Sequence, residues 1–235
     1  MLRAGRRRCH ELWIASNAGT DERIAEIVAI AAQERVTPRE VERAWLDERL
    51  PPGHQGVAAL ASLYPYAADT GLDVLASSGA PLLALDQLED PRNVGALLRT
   101  AEATGVSLVV LPSDRSAAIT PAVVNASAGA TEHMLIARTT NLARWLAEAS
   151  DAGYWSVGLA IDPRSQPLFG TDLPRPTVLV VGSEGNGLRR LVAERCDVLV
   201  ELPMDGRIES LNAAVAGSIA LYELHRRARA DSAHD

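Results

Sequence analysis

Along the C-terminal two-thirds of the chain, short and nearly continuous apolar runs alternate with stretches whose apolar residues fall at helical spacing. The apolar runs cover residues 81–86, 106–111, 132–137, 154–160, 176–182 and 197–203. Runs this short, without polar alternation, are expected of strands covered on both faces, and the segments 93–104, 121–128, 141–150 and 188–193 between them read as helices. A last helix of small residues (Ala213, Ala214, Ala216, Gly217, Ser218, Ala220) extends to about Arg229. Strand and helix in alternation predict an α/β unit with a mainly parallel sheet.

The N-terminal part is expected to be a smaller α/β unit. Residues 11–15 read as a strand, and 21–33 as a helix with Ile24, Ile27, Val28 and Ala31 on one face. Thr37-Pro38-Arg39-Glu40 offers a cap, a proline at the first helical position and an acid at the third. A second helix is therefore expected from Thr37 to about Leu50, ahead of Pro51-Pro52-Gly53. A strand through Ala61 and a short helix over 69–77 follow, and Ser77-Ser78-Gly79 reads as a linker. The expected domains are 1–79 and 80–235.

Length and composition narrow the class. A chain of 235 residues suits one large domain or two modest ones. No apolar run approaches the roughly 18–20 residues of a membrane span. The basic start, MLRAGRRRCHELW, lacks the apolar core of a secretory signal. Cys9 and Cys196 have no ligand-like spacing, so neither a disulfide framework nor a metal site is expected, and the chain reads as cytoplasmic. A formal charge of −7 argues against a nucleic-acid partner only if charge is evenly spread. All 23 basic residues are arginine, the better residue for bidentate phosphate contacts, so charge leaves the partner open.

Three stretches could carry chemistry, each where a strand runs out into a loop. In the first, Pro91-Arg92-Asn93 opens a helix, with Asn93 near its cap and Arg99 two turns in, among Leu97, Leu98 and Ala101. These residues are either a cap and a surface arginine or a pair that holds phosphate or ribose at the sheet edge. The second, Gly182-Ser183-Glu184-Gly185-Asn186-Gly187, is a glycine-rich turn of the kind that cradles phosphate. Its glycine order is neither that of a dinucleotide fold nor that of a P-loop, and Glu184 suits a neutral or cationic ligand better. The third runs through Leu202-Pro203-Met204-Asp205-Gly206 to Ser210-Leu211-Asn212. Ser210 and Asn212 can cap the helix that follows. That helix is too small on one face to fill a core, so something is expected to approach it closely.

Together these three stretches resemble the SpoU (TrmH-type) family of RNA 2′-O-ribose methyltransferases. The first family motif is matched by 90–99, with Asn93, Gly95 and Arg99 in place; the second by 181–187; the third by Leu202-Pro203-Met204 through Ser210-Leu211-Asn212. Arg6-Arg7-Arg8 ahead of Glu11-Leu12-Trp13, and His54-Gln55-Gly56, look like the small N-terminal domain of members that act on guanosine in 23S rRNA. The resemblance implies an α/β trefoil-knot domain with a ribosomal-protein-like RNA-binding domain before it. It implies S-adenosylmethionine as cofactor, no metal, rRNA as partner, and a homodimer that completes the active site. Asn93, Arg99, Glu184, Ser210 and Asn212 fall at the family's catalytic and substrate positions, and Gly182, Leu202 and Leu211, with Met204 nearby, at its cofactor positions.

The expected reaction is methyl transfer to a ribose 2′-hydroxyl of guanosine in rRNA. The alternatives are the same reaction on tRNA or a catalytically silent RNA-binding assembly factor. Arg99 is expected to orient the hydroxyl and a phosphate, since a guanidinium stays protonated, and Glu184 to orient Arg99 or the sulfonium. Two departures stand out. Members usually carry a glycine-containing turn and a helix ahead of the position of Leu2, and Asn212-Ala213-Ala214-Val215 replaces a common Asn-Val-Ser-Val, without the hydroxyl at Ala214.

Overall fold

A computed structural model describes residues 1–18, 22–68, 70–208 and 210–231, and its contacts divide the chain into two units, Met1–Pro65 and Tyr66–Asp235. Among the described residues no helix is long and apolar enough to cross a membrane.

The first unit holds β1 (Cys9–Ala15), α1 (Glu22–Gln33), β2 (Arg39–Val41), α2 (Arg43–Asp47) and β3 (Val57–Ala61). Its sheet has the order β2-β1-β3, with β2 parallel and β3 antiparallel to β1. The helix expected from Thr37 is replaced by β2 and a five-residue helix. The capping pattern there is outweighed by strand pairing, Trp13 with Arg39 and Ala15 with Val41. Buried Leu12, Ala15, Ala31 and Leu46 form the small core, with the Trp13 and Trp45 rings 5.5 Å apart. Asp21, placed at the start of the first helix by its sequence, lies outside the described residues.

The second unit begins with α3 (Leu72–Ser77), β4 (Leu82–Asp86), α4 (Pro91–Ala103), β5 (Leu108–Pro112), α5 (Pro121–Ala126) and a single 3-10 turn, Ala130–Glu132. It continues with β6 (Leu135–Thr139), α6 (Leu142–Asp151), β7 (Trp155–Leu159), β8 (Gln166–Pro167), β9 (Thr177–Gly182), α7 (Arg190–Ala193), β10 (Val198–Glu201) and α8 (Ala213–Asp231). Seven strands lie in the order β6-β5-β4-β9-β7-β10-β8, and each pairing is parallel. Every residue of β4, β5 and β9 is buried, which is why these strands read as unbroken apolar runs.

Two expectations shift. The strand expected from Glu132 starts at Leu135, because 130–132 form the 3-10 turn, and β8 carries no apolar signal at all. The contact boundary lies between Pro65 and Tyr66 rather than at Gly79. Leu72, Leu75 and Ala76 of α3 pack on the core of the second unit, and Ala67 bridges to Ala137.

On one face of the sheet, Leu142, Trp145, Leu146 and Ala149 of α6 cover Leu82, Ala84, Leu108, Val110, Val178 and Val180. On the other, α8 packs against α4 and β9. A Cβ at Gly217 would lie 2.6 Å from Leu97 Cδ2 and 3.1 Å from Val181 Cγ2, so the small face of α8 fits α4 and β9 of its own chain.

Candidate active site

The sheet is built outward in one direction through β4, β5 and β6; β7 then lies on the other side, and β9 enters between β4 and β7. Such reversals open a crevice at the carboxyl ends of the strands. Here Leu159, Gly182 and Glu201, at the ends of β7, β9 and β10, line a cavity of about 570 Å³.

One wall is the turn after β9. Ser183 and Gly187 pair through two backbone hydrogen bonds of 3.1 and 2.9 Å, with Gly185 and Gly187 at φ 84° and 61°. A Cβ at Gly182 would fall 2.2–2.5 Å from the Gly187 carbonyl and the Leu188 nitrogen, so only glycine lets the turn fold back over the strand end. The amides of Ser183 and Gly187 are used inside this turn. The glycines therefore build a closed hairpin that presents Glu184.

Glu184 is met by both other motifs. Helix α4 is capped by Asp90, whose carboxylate accepts from Arg92 N at 2.8 Å, with Pro91 at the first position. Asn93 consequently sits inside the first turn rather than at the cap, and its Nδ2 donates to Glu184 Oε1 at 2.8 Å. Asn212 stands at the start of α8. Its Oδ1 accepts from Ala214 N and Val215 N at 3.0 and 3.2 Å, so Asn212 rather than Ser210 caps that helix. Its Nδ2 donates to Asn93 Oδ1 at 3.0 Å and to Glu184 Oε1. A carboxylate only accepts and helix N–H groups only donate, so these partners fix both amide orientations.

The turn is also anchored from beneath. Asp86, at the end of β4 and fully buried, accepts from Arg189 N at 2.8 Å and pairs with its guanidinium at 2.6 Å. The cavity lining is otherwise apolar at Leu188, Leu202, Met204 and Leu211 and acidic at Asp162, Glu184 and Glu201. Hydrogen bonds from Arg164 hold the Asp162 carboxyl down to about 2.

Seven of the nine residues singled out by sequence line this cavity: Gly182, Glu184, Leu202, Met204, Ser210, Leu211 and Asn212. Asn93 reaches it through Glu184 and Asn212. Arg99 does not line it: the side chain is exposed on α4, while Leu97, Leu98 and Ala101 beside it in sequence are buried. Glu184, expected to orient Arg99 or the sulfonium, bonds the two asparagines. Sequence reasoning missed Asp86, Arg189 and Asp162. The available signal was position, since Asp86 ends an apolar parallel strand and Asp162 follows another by three residues.

Residues 80–222 match the SpoU rRNA Methylase family, and residues 1–67 match the family described as RNA 2'-O ribose methyltransferase substrate binding. The chain is 41% identical over 230 residues to the 23S rRNA (guanosine-2'-O-)-methyltransferase RlmB of Pseudomonas syringae pv. tomato, covering 97% of this chain and 91% of that one. It is 44% identical over 222 residues to an uncharacterized tRNA/rRNA methyltransferase of Mycolicibacterium vanbaalenii, covering 93% and 70%. Among solved structures, the AdoMet-bound rRNA methyltransferase from Sinorhizobium meliloti is similar at a TM-score of 0.77 and 26% identity, covering 96% of this chain and 82% of that one.

Proposed function

The chain belongs to the SpoU rRNA Methylase family, and from that premise we propose that it transfers the methyl group of S-adenosylmethionine to a ribose 2′-hydroxyl of guanosine in 23S rRNA. The observation that carries this reading is the convergence of Asn93, Glu184 and Asn212, one from each motif, at the cavity that Gly182, Leu202, Met204 and Leu211 line.

The residues present fit such a cofactor. Leu188, Leu202 and Leu211 offer an apolar surface to adenosine, and the carboxylates of Asp162, Glu184 and Glu201 complement a cationic sulfonium and ammonium. When bound, the cofactor supplies an electrophilic methyl group. The task of the chain is to hold a 2′-hydroxyl in line with it, and positioning of this kind accounts for much of the barrier reduction. Glu184 Oε1 is engaged by two amides, which fixes the carboxylate as an electrostatic wall of the pocket. Arg99, on the exposed side of α4, is assigned to the RNA: it orients the phosphate beside the target ribose from outside the cavity. Ser210, at the cavity wall, is assigned to the ribose or to the methionine end.

The trefoil knot and the homodimer belong to the same reading. Membership of the family supports both. The test is calorimetry with S-adenosylmethionine followed by transfer of its labelled methyl group to rRNA and tRNA, with digestion to nucleosides. Binding, and label in 2′-O-methylguanosine from 23S rRNA, is the expected result. No cofactor binding, or label on a base, would overturn the activity; label confined to tRNA would overturn the substrate.

A further inference from the structure

The cavity at the carboxyl ends of β7, β9 and β10 is one-sided in charge. Asp162, Glu184 and Glu201 line it and, among the described residues, no arginine or histidine does; the chain has no lysine. The bias belongs to this cavity and not to the unit as a whole. A second cavity, of about 480 Å³ where β4 and β9 begin, is lined by Arg175, His225, Arg226 and Arg227 against the single carboxylate of Asp172.

The three carboxylates are not equivalent. Asp162 accepts from the Arg164 guanidinium at 2.8 and 3.0 Å, so the two together are close to neutral. Glu184 accepts from the side-chain amides of Asn93 and Asn212, which fix its position and leave its charge in place. Glu201 is held by its backbone: its carbonyl accepts from Leu168 N at 2.8 Å, and it pairs with Pro167 of β8. No ion pair joins its side chain among the described residues. Two uncompensated charges therefore remain, one after β9 and one at the end of β10. β7 lies between those strands, and strands two apart are separated by about 10 Å, so a group seated over the end of β7 feels both.

We propose that Glu184 and Glu201 make this cavity select the sulfonium cofactor over its own demethylated product, S-adenosylhomocysteine, with Glu201 as the residue that sets the preference. The proposal rests on the methyltransferase reading above. Methyl transfer breaks the S–CH3 bond and forms an O–CH3 bond. The bonding pair stays on sulfur, which becomes a neutral thioether, and the hydroxyl proton passes to water. Cofactor and product share their adenosine and amino-acid parts, so the apolar walls contact both alike. One positive charge is the main difference, and unpaired carboxylates respond to charge. The product is thus held less tightly than the cofactor that replaces it.

Calorimetry of the full chain with S-adenosylmethionine, S-adenosylhomocysteine and sinefungin, which carries a cationic amine in place of the sulfonium, tests this. At about 0.1 M salt, where charges act over about 10 Å, the parent should bind both cationic ligands on the order of tenfold tighter than the thioether. At about 1 M salt, where that reach is about 3 Å, the preference should shrink toward unity. Glu201→Gln keeps the backbone ties to β8 and should lose most of the preference, by weakening the two cationic ligands and not the thioether. Glu201→Asp should restore part of it, and Glu148→Gln on α6 should match the parent. Thermal unfolding reports whether each variant folds; if Glu201→Gln does not, the salt series on the parent still decides. S-adenosylhomocysteine bound as tightly as S-adenosylmethionine would overturn the proposal, as would a preference that neither salt nor Glu201→Gln alters. If that protein still methylates RNA, only the discrimination fails. If none of the three ligands binds, the methyltransferase reading fails and the proposal falls with it.

Discussion

Asp86 and Arg189, 103 residues apart, are joined by a backbone and a side-chain hydrogen bond at the carboxyl end of β4, with the carboxylate fully buried and the arginine partly exposed. The pair ties the residue just after the glycine turn to the sheet, so it holds one wall of the cavity from below. Arg189→Met leaves a buried carboxylate short of its partner. Fully buried pairs broken in this way lose about 3–5 kcal/mol, and solvent access to Arg189 lowers the expected loss here to about 2 kcal/mol. Adding Asp86→Asn should recover part of it by removing the stranded charge. Urea unfolding of the two variants checks this, and an Arg189→Met protein as stable as the parent would refute the anchoring role.

Asn212 caps α8 with its oxygen and binds Glu184 and Asn93 with its nitrogen, so one residue serves both fold and site. Asn212→Asp separates the two. Aspartate caps as well as asparagine does, and stability should stay within about 1 kcal/mol. The new carboxylate would face Glu184, however, and methyl transfer should fall at least tenfold, on the order of 1.4 kcal/mol in the barrier. Thermal unfolding beside initial rates gives both readouts; an active Asn212→Asp enzyme would break the link to Glu184.

Gly182→Ala is expected to be severe although it adds one methyl group. The added carbon would overlap the Gly187 carbonyl at 2.3 Å, and a backbone neighbour cannot rotate away. The turn must open, carrying Glu184 with it. Overpacking of this kind costs about 1–3 kcal/mol, and the cavity should lose calorimetrically measurable affinity for S-adenosylmethionine. Retained affinity would mean that the turn can shift without harm.

Arg99 is exposed on α4 and does not line the cavity, and the proposed function assigns it to the RNA. Arg99→Ala should therefore leave the dissociation constant for S-adenosylmethionine unchanged and lower turnover on RNA by about 100-fold, the range of a lost electrostatic contact to a reacting group. A variant that turns over normally would remove Arg99 from the reaction.

Much of this arrangement was legible in the chain. Strands buried on both faces announced themselves at 81–86 and 176–182, and the second and third motifs lay in loops that line one cavity, with the first at the start of α4 beside them. What was not legible depended on distant partners. Thr37-Pro38-Arg39-Glu40 reads locally as a helix start, and only pairing with β1 makes it a strand. Asn93 and Ser210 are plausible caps until Asp90 and Asn212 are seen to fill those places. The contact of Glu184 with two asparagines spans 91 and 28 residues, beyond any local pattern.

Acid should weaken an ion-pair cluster on α8. Glu223, buried on α8, accepts from Arg226 at 2.8 and 2.9 Å and from Arg227 Nε at 2.7 Å, and Arg227 Nη2 donates onward to Leu168 O at 2.9 Å. Hydrogen bonds from Arg226, then Arg227, outweigh burial and lower the Glu223 carboxyl to about 2 from its usual 4.5. A depressed carboxyl contributes stability that is complete above the unfolded value and is lost as pH falls toward the folded one. The window is thus pH 4.5 down to about 2, and the contribution is on the order of 2–3 kcal/mol. Glu223→Gln should be less stable than the parent by about that amount at pH 7, and the gap should narrow steadily between pH 4.5 and 2.5. Urea unfolding of both proteins at several pH values measures the gap; a difference that stays constant through this window would show that the arginines do not hold Glu223 in its charged form.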